Sequence, residues 1–403
     1  MAGIQGPTAY YKDGSAVLNQ DDRLRIQLDE QVAYLNIEKS MLLLLTQKTA
    51  KKSVSRMEHR WLTQERKKDF VAVTAIGGAW AAGAATTGTL TVATTDAFLF
   101  SEGDVISIPS TDVNQNYYIS AANQTTGVLS AQLVDLTGTV DHSSTSTPVN
   151  CFRIGNSFES GTGVGTIKSE QPTREYNYVQ IFQDPIGITT TGSKLSYRGQ
   201  SEIDKMRMEV GVDHAFSIEK ALFFGERQRK AAGLMNGQYE QWFMGGLVDY
   251  ISTNVETESA LTQTEFGDWM IDWTQYAKSP FCFSGELIFE ALTLWSDQYL
   301  RVTRNESTLG MAVTKYLTPY GTVVAVLPHR ELLTGTTLGG MAFGVDMSDL
   351  EYRYLDGLNT HIEKDVQAPG TKLQIDEYRT WASLKVGNEK RHGLLKGVAT
   401  ITT

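Results

Sequence analysis

Clustered histidines and cysteines, an activated serine or a glycine-rich loop ending in lysine would announce metal, nucleophilic or phosphate chemistry. This chain holds the residue types without the spacings. Six histidines, His59, His142, His214, His329, His361 and His392, are scattered along 403 residues with no His-Glu-x-x-His and no Cys-x-x-Cys, so no zinc-ligand grouping is legible. A phosphate cradle needs several backbone N–H groups aimed at an anion; GTGVGTIK, Gly161 to Lys168, fits neither the Walker spacing nor GxGxxG and reads as a hinge. GNSFE from Gly155 follows a nucleophile elbow up to its serine, but Glu159 replaces the closing glycine. A carboxylate such as Glu219 could do acid–base work with a neighbour, and nothing in the sequence singles that neighbour out. Pro328-His329-Arg330-Glu331 follows an apolar strand and reads as a strand-end loop with solvated charges rather than an active-site edge. The sequons at Asn123 and Asn305 are of a kind frequent by accident. No catalytic, cofactor-binding or metal-binding residue is assigned, and no enzyme activity is expected.

The elements that would position any site come next. Residues 1 to 20 show no period and read as an extended arm. From Asp21 to Gln47, Leu24, Leu28, Val32, Leu35, Leu42 and Leu45 recur at helical spacing, an amphipathic helix with a break near Ser40. A basic stretch follows, with Lys48, Lys51, Lys52, Arg56, Arg60, Arg66, Lys67 and Lys68 against Glu58 and Glu65. It reads as a solvated strand pair or an arm lying on an acidic neighbour. No apolar run reaches the ~20 residues of a bilayer span. The start of the chain lacks the order of a secretory signal, and the two cysteines, Cys151 and Cys282, fit buried thiols in a reducing compartment.

Net charge is −10, which argues against binding driven by phosphate contacts. Its distribution is uneven: Asp69 to Ile167 holds one basic residue, Arg153, and eight acids. That segment is rich in threonine and serine, with β-prone runs at Thr89–Val92, Asp104–Ile108, Asn116–Ser120, Gly127–Val134 and Cys151–Gly155 separated by turn residues. Gly77, Gly78 and Gly83 on entry and Gly161, Gly163 and Gly165 on exit read as hinges. A small β-barrel or sandwich inserted into a host domain fits these signals.

After it, Tyr178–Gly187 and Ile188–Thr191 read as strands, then Gln200–Phe224 as one long helix with Ile203, Met206, Val210, Ser217, Ile218, Ala221 and Leu222 on its apolar side. Glu265–Ala277 and Glu286–Tyr299 read as helices, and Thr322–Pro328, Leu373–Tyr378 and Trp381–Gly387 as strands. The class is α+β with an added all-β module.

From Asn177 the residues carry a resemblance. NYVQIFQDPIGITTTG, a helix ending IEKALFFGERQRKAAGLMNG and then Gly-Gly-Leu resemble the tailed-phage major head proteins related to phage SU-ten, a branch of the Hong Kong 97-type capsid fold. TLTV with EGDVISI and RIGNSFESG resembles the β insertion of that family, and TPYGTVVAVLPHREL and LQIDEYRTWASLKVGNEKRHGLLKGV its closing strands.

The resemblance implies an N-terminal arm over 1–50, an extended loop with its first side at 51–83 and its return at 161–198, and the inserted module at 84–160. It further implies a peripheral domain with a spine helix over 199–244, an axial domain over 245–345, and peripheral return strands with the C-terminus over 346–403. Assembly contacts are expected from Ile203, Met206, Val210, Ile218 and Leu222 on the spine helix and from Arg56, Arg60, Arg66, Lys67 and Lys68 on the loop. The implied function is a non-catalytic shell protein of a phage head, assembled in the bacterial cytoplasm as hexamers and pentamers around double-stranded DNA that is enclosed without sequence-specific binding. Cofactors and membrane are absent from this picture; a separate scaffold, a portal and decoration proteins are the further partners. A bacterial nanocompartment shell of the same fold and a β-rich adhesin or sugar-binding protein are the alternatives.

Overall fold

The computed structural model describes residues 42, 43, 46, 50–64, 70–77, 87–109, 115–134, 149–161, 171–195, 201–233, 239–299, 307–308, 311–312, 314–329 and 333–402. The helix expected over Asp21–Gln47 lies outside them except for helical Leu42, Leu43 and Thr46; Arg66, Lys67, Lys68, Gly78, Gly83, His142, Gly163 and Gly165 lie outside as well. The chain divides into two compact units, residues 62–174 and residues 1–61 with 175–403.

Strands β1 (Lys51–Val54) and β2 (Glu58–Thr63) come first. Six more, β3 (Phe70–Gly77), β4 (Thr87–Val92), β5 (Asp104–Ile108), β6 (Gln115–Asn123), β7 (Val128–Leu133) and β8 (Val149–Asn156), close into a barrel in the order β3-β4-β7-β6-β5-β8. Alternation interrupted by one bulge accompanies the closure: on β3, Val71, Val73 and, past the bulge between Val73 and Ala75, Ile76 are buried while Phe70, Ala72 and Thr74 are exposed. Leu90, Ile106, Ile108, Tyr117, Ile119, Leu129 and Cys151 fill the interior. Buried Asp104 accepts the Ser101 N–H at 2.8 Å and Arg153 Nε at 2.9 Å, so the segment's one basic residue neutralises a buried acid.

Two expectations are corrected here. β3 belongs to the barrel, because it pairs with both β4 and β8 and so closes the ring; residues 51–83 are therefore not one side of a loop, and the β unit starts well before residue 84. Gly77 is not a hinge. It pairs with Thr89 in the β3–β4 ladder, where a Cβ would meet Thr89 Oγ1 at 2.9 Å. Gly161, at φ +93°, does take a backbone conformation that suits glycine.

In the other unit β9 (Thr173–Tyr178), paired with β2, leads to β10 (Gln180–Thr189) and the helix α1 (Glu202–Phe224). The chain continues through β11 (Gln228–Lys230), β12 (Gln241–Phe243), α2 (Leu247–Tyr250), β13 (Val255–Thr257), β14 (Ala260–Leu261), α3 (Gln263–Thr274), β15 (Pro280–Ser284) and α4 (Glu286–Tyr299). Two short strands, β16 (Ser307–Thr308) and β17 (Met311–Ala312), precede β18 (Thr314–Leu317), β19 (Val323–Pro328), α5 (Gly335–Leu338) and β20 (Ala342–Asp346). β21 (Leu350–Leu355), β22 (His361–Glu363), β23 (Leu373–Val386), β24 (Gly393–Lys396) and β25 (Thr400–Ile401) close the chain.

One sheet runs β1-β21-β23-β10 with β22 also on β23, and a second runs β13-β24-β20-β15-β19-β18. Pro185 is tolerated in β10 because that strand is a sheet edge, where a missing N–H breaks no second ladder. α1 buries Phe216, Ile218, Leu222 and Phe223 in one cluster with Tyr352, Ala382 and Leu384 of the first sheet and Phe283 and Phe343 of the second, Phe223 meeting the latter two directly. The second buries Trp269, Trp273, Ile288 and Trp295 of α3 and α4. α3 starts at a capping box formed by Thr262 and Glu265.

Three further readings change. Leu373–Tyr378 and Trp381–Gly387 are one strand, continuous because Arg379 and Thr380 keep the ladder to β10 through Gln183 and Phe182. The segment 346–403 is divided: β21 to β23 belong to the first sheet, whereas β24 pairs with β13 and β20 in the second and β25 pairs with β14. On α1 the apolar side lies elsewhere: Ser217 is exposed and Ile203, Met206 and Val210 are only half-buried, while His214, Phe216, Ile218, Glu219, Leu222 and Phe223 are buried.

Candidate functional site

The described histidines, far apart in sequence, each meet a polar partner in the fold, and the geometry tests whether any pair could do chemistry. His59 on β2 lies 2.8 Å from Ser383 Oγ and 3.1 Å from Arg353 Nη1. Arginine can only donate, so His59 Nδ1 accepts and its Nε2–H donates to Ser383, whose hydroxyl donates in turn to the Tyr178 carbonyl at 2.7 Å. The imidazole has no lone pair left to take a proton from serine. Burial, helped by the Arg353 cation, pushes the His59 pKa down to about 3. This is a structural relay rather than a nucleophile pair.

α1 carries the remaining polar anchors. Arg207 Nε donates to Asp376 on β23 at 2.9 Å, and the Tyr378 hydroxyl donates to the Arg207 carbonyl at 3.1 Å across Gly211, where a Cβ would come within 3.1 Å of that hydroxyl. One turn on, buried His214 contacts Asp184 on β10 at 2.6 Å and Thr380 on β23 at 2.7 Å. Arg207, Gly211, His214 and Ile218 thus form the stripe that faces the first sheet, rotated by one residue, about 100°, from the expected Ile203-Met206-Val210 side. Ile218 and Leu222 are where the sequence puts them, in the core.

Glu219 does find a neighbour. His329 Nε2 lies 2.8 Å from its Oε1, both side chains are shut from solvent, and the Leu42 N–H donates to the same oxygen at 2.9 Å. The expectation of solvated charges at Pro328–Glu331 is therefore wrong for His329, because the strand end turns inward onto α1; Arg330 and Glu331 lie outside the described residues. Nothing in the sequence spacing links positions 219 and 329.

Two fragments that read separately in the sequence meet at Asn177. Its side-chain oxygen accepts the Gly245 and Tyr178 N–H groups at 2.8 and 2.7 Å, and its amide donates to the Gly245 and Leu384 carbonyls at 3.0 and 2.6 Å. Gly246 next to it donates to the Gly225 carbonyl at 2.8 Å, so close that a Cβ would lie 2.7 Å from the Ala221 carbonyl oxygen. The strand and the Gly-Gly-Leu turn are thereby fixed to the end of α1.

A stack of aromatic and guanidinium groups covers the same end. Arg227 lies over Tyr176 at 4.4 Å and Tyr250 at 5.0 Å, Tyr176 meets Tyr178, Tyr178 meets Trp242 of β12, and Arg229 of β11 covers Trp242 at 4.6 Å while pairing with Glu240 at 2.8 Å. Each arginine has a carboxylate partner, so the surface offers no bare cation row for phosphate. Beside it a cleft of about 490 Å³ is floored by Phe182, Phe224 and Phe243 and rimmed by Lys220, Glu226 and Lys230.

Two acids brace the second sheet. Burial alone would raise the Asp346 pKa, but N–H groups of Lys278, Ser279 and Ser348 and the Ser348 hydroxyl hold it below the ordinary range. Glu389 is likewise depressed against burial by the Thr253 and Ser252 hydroxyls and N–H groups. Among the described residues no group of His, Cys, Asp and Glu has metal-binding geometry, and no helix is long and apolar enough to cross a membrane. Both cysteines are buried free thiols. Of the basic loop residues, Arg56 and Arg60 are exposed, Arg60 pairing with Glu58.

A family model described as SU10 major capsid protein matches residues 8–399. Among curated proteins, the major capsid protein of Pseudomonas phage PaMx41 is 27% identical over 235 residues; the alignment takes in 54% of this chain, which spans about half (54%) of that relative's length. Among solved structures, the chain is similar to Mycobacterium phage Cain, at 9% identity and TM-score 0.46 over 95% of this chain and 97% of that one. It is also similar to the holo-SrpI encapsulin complex from Synechococcus elongatus PCC 7942, at 12% identity and TM-score 0.42 over 58% and 79%.

Proposed function

Since the chain belongs to the SU10 major capsid protein family, we propose that it is the major head protein of a tailed phage, copies of which assemble into the icosahedral shell around double-stranded DNA. The observation that carries this reading is the extent of the family match, from residue 8 to residue 399. The geometry is consistent with it: the polar groups brace elements against one another, and the His59–Ser383 pair is closed to chemistry. No catalytic role is assigned.

Within this reading the fold is of the Hong Kong 97 type. α1 is the spine helix, the first sheet belongs to the peripheral domain, the second sheet with α3 and α4 to the axial domain, and the β2–β9 pair to the extended loop that carries the barrel. Hexamers and pentamers of this chain, a separate scaffold, a portal and decoration proteins are its partners, with assembly in the host cytoplasm and the virion as destination. The exposed Arg56 and Arg60 meet a neighbouring subunit. Expression of the chain with and without a co-expressed scaffold, followed by gel filtration and negative-stain microscopy, tests the proposal. Closed particles or rings are expected; a strictly monomeric profile under both conditions refutes it.

A further inference from the structure

The unit that contains α1 has two features with no counterpart inside the fold, the cleft at the end of α1 and the tip of the β18–β19 hairpin. The cleft is built to keep its shape. By strand alternation the β11–β12 hairpin presents Arg229 and Trp242 to the aromatic stack and Gln228, Lys230 and Phe243 to the cleft. The floor is held from behind: Phe182 meets His214 edge-on, Phe224 meets Phe343 edge-on, and the Met244 N–H donates to Gln180 Oε1 at 3.1 Å, tying β12 to β10. The volume of about 490 Å³ lies within the range of roughly 300–1,000 Å³ found for binding pockets.

The rim narrows the chemistry of what fits. Lys220 and Lys230 take part in no ion pair among the described residues, and Lys220 already rests over a ring, that of Phe216, at 4.4 Å. Glu226 adds a carboxylate, so the rim carries both signs. A free anion would meet that carboxylate. A phenol suits both signs, since its ring face attracts ammonium groups and its hydroxyl can donate to a carboxylate or accept from a lysine. The three phenylalanines beneath supply apolar contact for the body of such a ring.

The β18–β19 tip carries that group. Tyr320 stands largely exposed at the turn, with exposed Leu317 and Val323 opposite each other in the ladder below it. Gly321 at φ +83° and the hydrogen bonds between Thr318 and Thr322 fix the turn, so docking it costs little conformational freedom. Tip and cleft share no residue. Their pairing is therefore head-to-tail, the arrangement that closes rings.

We infer that the β18–β19 tip of one copy seats Tyr320 in the cleft at the end of α1 of the next copy. The choice of a second copy rests on the shell reading; the fit of the cleft to a phenol does not.

A photocrosslink reads the contact. Tyr320 is replaced by p-benzoylphenylalanine, which keeps an aromatic body, and the full chain is mixed with isotopically labelled wild-type chain under conditions that give particles, irradiated and digested. Crosslinks to labelled peptides from residues 217–230, or to those containing Phe182 or Phe243, are expected. Crosslinks between copies that fall only elsewhere, or none at all, overturn the contact. Ser217 is exposed on the cleft wall, so Ser217→Trp should fill the cleft and raise the concentration needed for assembly at least about tenfold. Urea unfolding of the unassembled variant should match wild type, and Ser217→Ala should assemble as wild type does. Assembly of Ser217→Trp at the wild-type concentration overturns the contact as well, and the crosslink decides the matter even if that variant fails to fold. Failure of the shell reading is distinguishable: the wild-type chain then forms no rings or particles, whereas failure of the contact alone leaves wild-type particles whose crosslinks lie elsewhere.

Discussion

The side chains that fix this protein are polar groups whose partners are distant in sequence, and His59 gives the sharpest consequence. Folded, it stays neutral to about pH 3; unfolded, it takes a proton near its ordinary 6.5. Below pH 6.5 the unfolded chain therefore binds more protons, and stability is lost as the pH is lowered from 6.5 towards 3. His392, also held down mainly by burial, adds a loss of the same sign. Asp346, Glu351 and Glu389 have depressed pKa values, and their contributions are lost only as pH falls from the ordinary carboxylate value through the lowered one, below the histidine window. Urea unfolding of the unassembled chain should thus lose roughly 1 kcal/mol per histidine between pH 6.5 and 5.5. His59→Asn should flatten that slope relative to wild type, and an unchanged slope would mean that His59 is accessible to protons in the fold. On α1, Leu222→Ala should cost about 2–5 kcal/mol and Val210→Ala under about 1, since Leu222 is fully buried and Val210 only half-buried. The helix was legible from its apolar period. The face was not, because Arg207, Gly211 and His214 occupy the contact stripe and a hydropathy pattern counts them as surface.

At the scale of elements, periodicity served well wherever one residue type dominated. The span Glu286–Tyr299 of α4 and most of β19 follow from it. The acidic, threonine-rich segment reads as a β module from its turns and composition, but its entry was hidden: glycine at 77 and 78 suggested a break, whereas Val71, Val73 and, beyond a bulge, Ile76 are buried in the barrel and make β3 the closing stave. The fragments follow different fates on that account. Residues 62–174 expressed alone should give a soluble protein with a β-type circular dichroism spectrum and a cooperative melt, while residues 84–160, lacking β3, should leave β4 and β8 as open edges and aggregate. Equal behaviour of the two fragments would mean that closure by β3 is dispensable. The division of the C-terminus between two sheets was equally illegible, since β24 is only four residues long, Gly-Leu-Leu-Lys, and its partners β13 and β20 lie far away in the sequence.

For the whole molecule, the question is which apolar surface the isolated chain does not need. The β18–β19 hairpin shows the clearest case. Leu317 and Val323 face each other across the ladder at 58% and 52% exposure, and Tyr320 at the turn is 77% exposed. The turn itself is rigid: the Thr322 N–H donates to Thr318 Oγ1 at 3.0 Å, the Thr318 N–H to the Thr322 carbonyl at 2.9 Å, and Gly321 takes φ +83°. A stiff tip with three large exposed apolar side chains contributes little to the fold that bears it, and in the proposed shell it is expected to serve contacts between copies. In a closed lattice each subunit meets several neighbours, and a loss of about 1.4 kcal/mol at each copy of one contact raises the concentration needed for assembly about tenfold or more. Replacing Leu317 and Tyr320 together by serine should leave urea unfolding of the unassembled chain within about 0.5 kcal/mol of wild type. The same variant should form particles only at markedly higher concentration, as read by light scattering across a dilution series. Loss of stability in the isolated chain would place the tip in the core of its own unit. Unchanged assembly would place it on a face that no neighbour covers.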